Sequence, residues 1–66
     1  MAVLKVIEIM SNSTKSWEDA TARAVKKASK SVKNIKSVYV REQSAMVKDD
    51  KVTEFRVNLK VTFEVK

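Results

Sequence analysis

Cysteine, histidine, glycine and proline are all missing from this 66-residue chain. Without the first two there can be no disulfide, and no zinc, haem or iron–sulfur site built on those ligands. Cys–His and Ser–His–Asp nucleophiles are excluded as well, and no side chain has an ordinary pKa near neutrality. Only oxygen-ligand metal sites stay open. The missing glycine excludes a glycine-rich phosphate loop. Average usage of about 7% would place roughly five glycines in this length. Every tight turn therefore falls to Asn, Asp, Ser or Lys.

Aromatic residues are scarce: Trp17, Tyr39, Phe55 and Phe63. No apolar run is long enough to cross a membrane, and Lys5 and Glu8 interrupt Met1–Met10, against a signal peptide. A cytoplasmic location is the resulting expectation. The length suits one domain spanning residues 1–66, near the lower limit for a self-sufficient core.

What is abundant is positive charge, 14 Lys and Arg against 8 Asp and Glu, a formal net charge of +6. Such an excess attracts nucleic acid or anionic lipid, or it keeps a soluble surface away from neutrality. The lysines are spread over the whole chain, which favours the solvated surface. Lys26, Lys27, Lys30 and Lys33 form the one cluster. As a nucleic-acid footprint it lacks interleaved aromatics or arginines. A small basic domain reading double-stranded RNA by shape is the alternative from another class. An enzyme is not expected, because histidine is absent and no carboxylate pair is evident.

The segment Lys51–Lys66 alternates without a slip. Thr53, Phe55, Val57, Leu59, Val61, Phe63 and Val65 share one face, and Val52, Glu54, Arg56, Asn58, Lys60, Thr62 and Glu64 the other. Period 2 sustained this long predicts a strand with one dry and one largely wet face, roughly 45 Å in length. Ala2–Met10 is apolar and β-branched enough for a first strand. Ile35–Lys48 predicts another, with a phase change in Arg41–Ser44 that a β-bulge would produce. Asp49 and Asp50 leave room only for an antiparallel hairpin.

Between the first two strands, Trp17, Ala20, Ala24, Val25, Ala28 and Val32 recur at helical spacing and predict one amphipathic helix to about Lys33. Ser13 or Ser16 can cap its start, with Asp19 at the third position after Ser16. Asn34 can take φ > 0 as its C-terminal cap. Trp17 reads as the anchor of the stripe rather than a ligand platform. The order β-α-β-β predicts an α+β fold. A crossover makes the first two strands parallel, and the third inserts between them, giving sheet order 1-3-2 partly wrapped around one helix. Such a helix, about 25–30 Å long, cannot cover the dry face of a longer hairpin. The remainder must meet another chain.

Five segments together resemble the dodecin family over nearly the whole length: K-V-I-E-I, S-W-E-D-A, A-S-K-S-V-K-N-I, V-x-E-Q and T-E-F-R-V-N-L-K-V-T-F-E-V. They keep their order and spacing without gaps. The resemblance implies a hollow homododecamer built from four trimers, which binds, stores or buffers a small ligand. Many dodecins hold a flavin such as riboflavin or FMN, with a tryptophan stacked on the ring and a glutamine on its edge. Ser37 and Arg56 stand at the matching positions, and Gln43 matches the family's E-Q segment. Serine has no π face and arginine only donates, so flavin binding should be weakened or lost. Arg56 otherwise reads as a cross-strand or intersubunit salt link. The chain is more similar to the dodecin branch without the stacking tryptophan, one type of which binds calcium. The carboxylates Glu42, Asp49, Asp50, Glu54 and Glu64 are scattered, so a calcium site would need symmetry to gather them. A purely structural self-assembling cage is the remaining alternative.

Overall fold

A computed structural model describes residues 2–66, so Met1, where the expected domain and the expected leader-free start begin, lies outside it. The elements are β1 (Val3–Ser13), α1 (Trp17–Ala28), β2 (Ile35–Lys48) and β3 (Lys51–Val65). The sheet order is β1-β3-β2, with both outer strands antiparallel to β3. β3 takes the centre because its alternation is cleanest and both of its edges find backbone partners. The predicted α+β fold and the 1-3-2 order are therefore what the chain adopts.

Two boundaries differ from expectation, the end of β1 and the end of the helix, and of the two serines able to cap the helix start it is Ser16 that does so. β1 runs on to Ser13 rather than stopping at Met10, because Ser11, Asn12 and Ser13 still pair with Val57, Arg56 and Phe55. Tertiary pairing here overrides the turn preference of those residues. The helix cap is Ser16, whose Oγ accepts from the Asp19 N–H at 2.9 Å. The helix ends at Ala28 rather than near Lys33. Ser29 Oγ donates to the Lys26 carbonyl at 2.6 Å, and Lys30 and Ser31 N–H close tighter bonds to the Lys27 and Ala28 carbonyls. Serine side chains compete in this way with helical bonding, and the last turn tightens. Asn34 does adopt positive φ (62°), but as the link into β2 rather than as the helix cap. Its carbonyl accepts from the Glu64 N–H at 3.0 Å and ties β2 to the end of β3.

The hairpin turn uses positive φ at both Asp49 (52°) and Asp50 (63°). That is the primed turn a two-residue hairpin needs, made here without glycine or asparagine. Bulges fall at Ile35/Ser37, Val40/Glu42 and Met46/Val47. The middle one leaves Arg41 unpaired and accounts for the expected change of phase.

The core is small: Ala20, Ala24, Val57, Leu59 and Val61 are buried, with Ile9, Trp17 and Val38 packed around them. Alanines let the helix lie close to the sheet but each removes little area from water. The helix of 12 residues is only about 18 Å long. The chain itself extends 50 Å. The helix sits over β1 and β3 and scarcely reaches β2. Val3, Val47 and Val65 stay exposed beyond its ends.

Candidate functional site

The face of the sheet away from the helix is built by alternate residues of all three strands. Leu4, Val6, Glu8, Met10 and Asn12 of β1 stand opposite Glu64, Thr62, Lys60, Asn58 and Arg56 of β3. From β2, Ser37, Tyr39, Glu42 and Ser44 stand opposite Thr62, Lys60, Asn58 and Arg56. This face was expected to be largely wet. Instead the β3 residues from Glu54 to Glu64 are half-buried, because long neighbouring side chains lie across them.

Three cross-strand contacts order the face. Arg41 Nη1 donates to Glu8 Oε2 at 3.0 Å, reaching past β3 from the bulged position. Lys36, the extra residue of the first bulge, meets Glu64 at 3.4 Å. Arg56 Nε donates to Asn12 Oδ1 at 2.8 Å. The cross-strand role expected of Arg56 is thus filled by an amide rather than a carboxylate. Glu8 and Asn12 were not among the residues singled out from the sequence. Their spacing in β1 marks them as one-faced, but partners on the third strand depend on the bulge and the register.

The chain does not bring Ser37, Gln43 and Arg56 together. Ser37 pairs with Thr62, and Arg56 lies six positions away along β3, about 20 Å at strand rise. Gln43 pairs with Val57, a buried residue under the helix, so it belongs to the opposite face. Between Ser37 and Arg56 stand Tyr39 and Lys60, and the Tyr39 ring is 65% exposed.

Near the helix start a polar knot holds β1 to α1. Ser13 is buried and its Oγ donates to Asp19 Oδ2 at 2.6 Å while accepting from the Lys15 N–H at 2.9 Å. Arg23 Nε donates to the same carboxylate oxygen at 2.7 Å. The Ser13 hydrogen bond first, and Arg23 second, hold the Asp19 carboxyl below the usual carboxylate range. Trp17 packs edge-on against Phe55, ring centres 4.9 Å apart, and its indole N–H donates to the Ser44 carbonyl at 2.9 Å. It is an anchor, as its place in the stripe suggested.

Within one chain this surface fits neither of the groups the resemblance implies. Flavin finds no aromatic platform at Ser37, and the exposed Tyr39 ring supplies at most one wall. No three carboxylates converge among the described residues. Glu8, Asp19 and Glu64 are each engaged by a cation. The basic cluster forms no continuous stripe either. Glu18 and Asp19 occupy the first helical turn, Lys26 and Lys27 the last, and Lys30 and Lys33 lie beyond it.

The family model for Dodecin matches residues 3–66. Calcium dodecin of Mycobacterium tuberculosis is 39% identical over the whole chain, which covers 93% of that protein. Its solved structure, described as having a novel calcium-binding site, superposes with a TM-score of 0.84 at 40% identity, covering 97% of this chain and 91% of that one. Dodecin from Streptomyces davaonensis superposes with a TM-score of 0.94, covering 98% of this chain and 96% of that one. At 22% identity that likeness speaks for the fold alone. No helix among the described residues is long and apolar enough to cross a membrane. Strand order, helix placement and a match across residues 3–66 agree, and the chain belongs to the dodecin family.

Proposed function

We propose that this chain is a single-domain subunit of a hollow cytoplasmic homododecamer, assembled from trimers, that stores or buffers a small ligand or ion and binds flavin weakly. One observation carries the reading: the apolar surface that the chain leaves uncovered. Val3, Leu4, Val6, Met10, Val47 and Val65 are each about half exposed or more. At roughly 25 cal/mol per Å² of apolar surface buried, covering such residues drives association. The fragmentary binding surface points the same way. Ser37, Gln43 and Arg56 form a site only if neighbouring copies juxtapose them.

As a dodecin the protein is not an enzyme. Its place in the branch without the stacking tryptophan rests on Ser37. A calcium dodecin as a 39% identical relative supports an ion as cargo. In an assembly, carboxylates gathered from neighbouring copies supply oxygen ligands of the kind calcium takes.

Light scattering tests the shell: the expected mass is about 90 kDa, twelve times 7.5 kDa. A stable, folded monomer at micromolar concentration would refute it. Riboflavin fluorescence on titration and calcorimetric titration with calcium test the cargo. Submicromolar quenching of riboflavin would contradict weak flavin binding, and the absence of both signals would leave the structural cage as the better reading.

A further inference from the structure

A cleft of about 480 Å³ opens between α1 and β1. Its walls are Ile7, Ile9, Ala28 and Val32, and the cations Arg23 and Lys27 stand at its rim. Lys27 is exposed, and Arg23 uses only its Nε on Asp19. The terminal nitrogens of Arg23 remain able to donate.

At the far end of the same chain is a projection of matching chemistry. β1 stops pairing at Ser13 opposite Phe55, so β3 from Lys51 to Glu54 pairs only with β2. The hairpin tip therefore stands clear as a two-stranded ribbon. Val47 and Val52 face each other across it and are 66% and 55% exposed. Asp49 and Asp50 form its extreme end. Lys48 and Lys51 are the neighbouring cross-strand pair, and adjacent pairs of a ladder point to opposite faces. One side of the tip is thus apolar with an acidic end, and the lysines lie on the other side.

We propose that the tip of one copy docks in the α1–β1 cleft of the next. Val47 and Val52 enter the cleft, and Asp49 and Asp50 meet Arg23 and Lys27 at its rim. This rests on the shell reading and names its contact. The two surfaces are different patches of one chain, so the contact is heterologous and generates a ring where the rotation closes. A trimer is such a ring. The tip cannot fill its own cleft, because the sheet is extended and the cleft lies along β1, which the tip has already passed. The occupant is accordingly a second copy.

The test is a charge exchange read by light scattering on the full chain. Asp50→Lys and Lys27→Glu each place like charges together, and each should raise the concentration for half-assembly by about tenfold. The double variant should return close to wild type. Val47→Asp should also weaken assembly. All three positions are exposed in the chain, so circular dichroism should show the same fold throughout. Single variants that assemble like wild type, or a double variant no better than the worse single, would overturn the contact. A wild-type chain that stays monomeric refutes the shell itself, whereas an assembled wild type indifferent to the exchange refutes only the docking.

Discussion

Phe55 and Phe63 lie on the same strand and the same face, near opposite ends of β3, yet their surroundings differ. Both rings are half-buried, but around Phe55 the chain supplies its own packing: Trp17 lies edge-on, the Trp17 N–H is fixed to Ser44, and the Ser13–Asp19–Arg23 knot lies alongside. Phe63 pairs with Lys5 and Ile35, and its neighbours Val3 and Val65 are 67% and 48% exposed. The difference follows from helix length. A helix of 12 residues anchored at Trp17 covers the middle of β3 and the Phe55 end, then stops. The helix thus packs the Phe55 stretch of β3 and leaves the strand uncovered towards Phe63, where Val3 and Val65 are exposed.

The strongest test sets these two rings against each other. Either truncation to alanine should cost about 3–5 kcal/mol where the ring is buried. Phe63→Ala should reduce the assembled fraction more than Phe55→Ala at one concentration, by light scattering. Phe55→Ala should act chiefly on the chain itself, lowering the thermal midpoint and exposing Trp17 to fluorescence quenchers. Equal losses of assembly would erase the contrast between the ends.

Ser37 belongs to the Phe63 end, opposite Thr62. Restoring a ring there with Ser37→Trp should strengthen riboflavin binding by about 1–3 kcal/mol, the usual worth of an aromatic stacking partner. That is roughly a 5- to 150-fold gain by fluorescence titration. No gain would mean that neighbouring copies do not bring this end of the sheet to a ring-sized gap.

Beyond the Phe55 end lies the hairpin turn, where Asp50 holds φ at 63°. Glycine carries no Cβ penalty there, so Asp50→Gly should relieve about 1 kcal/mol of backbone strain. Chemical denaturation should show a raised midpoint with little change in slope. A lowered midpoint would indicate that the Asp50 carboxylate contributes more than its strained backbone costs.

The smallest effect is expected at Asp19. Its folded carboxyl is held below the ordinary value by Ser13 and Arg23, so the folded state favours the ionised form. The resulting stabilisation is complete above the ordinary value near 3.8 and fades as pH falls through the lower folded value. Asp19→Asn should flatten that acid limb of stability and leave neutral-pH assembly unchanged. An unaltered acid limb would show that ionisation of Asp19 contributes nothing to the stability of the fold.

Much of this was legible in the residues. The unbroken alternation of β3, the helical spacing of Trp17, Ala20, Ala24 and Ala28, and the two-residue link at Asp49 and Asp50 together admit few topologies. The mismatch between helix and strand length also followed directly from counting. The candidate site was less legible. Ser37, Gln43 and Arg56 read as neighbours in role, but they fall on two faces and far apart along the sheet. Face and distance depend on three bulges, and each bulge shifts the register by one residue. The Glu8–Arg41 pair is similarly invisible in sequence, since it joins β1 to β2 across β3.

Sequence by itself determined the elements, their order and the excess of apolar face over helix. These follow from periodicity and length, which are local properties of a chain. Tertiary structure decided where the helix ended, which serine capped it, and which cations were engaged. It also decided that the hairpin tip stands free while a basic-rimmed apolar cleft remains open beside β1. Those outcomes depend on contacts between residues distant in sequence, and they are set only when the strands choose a register.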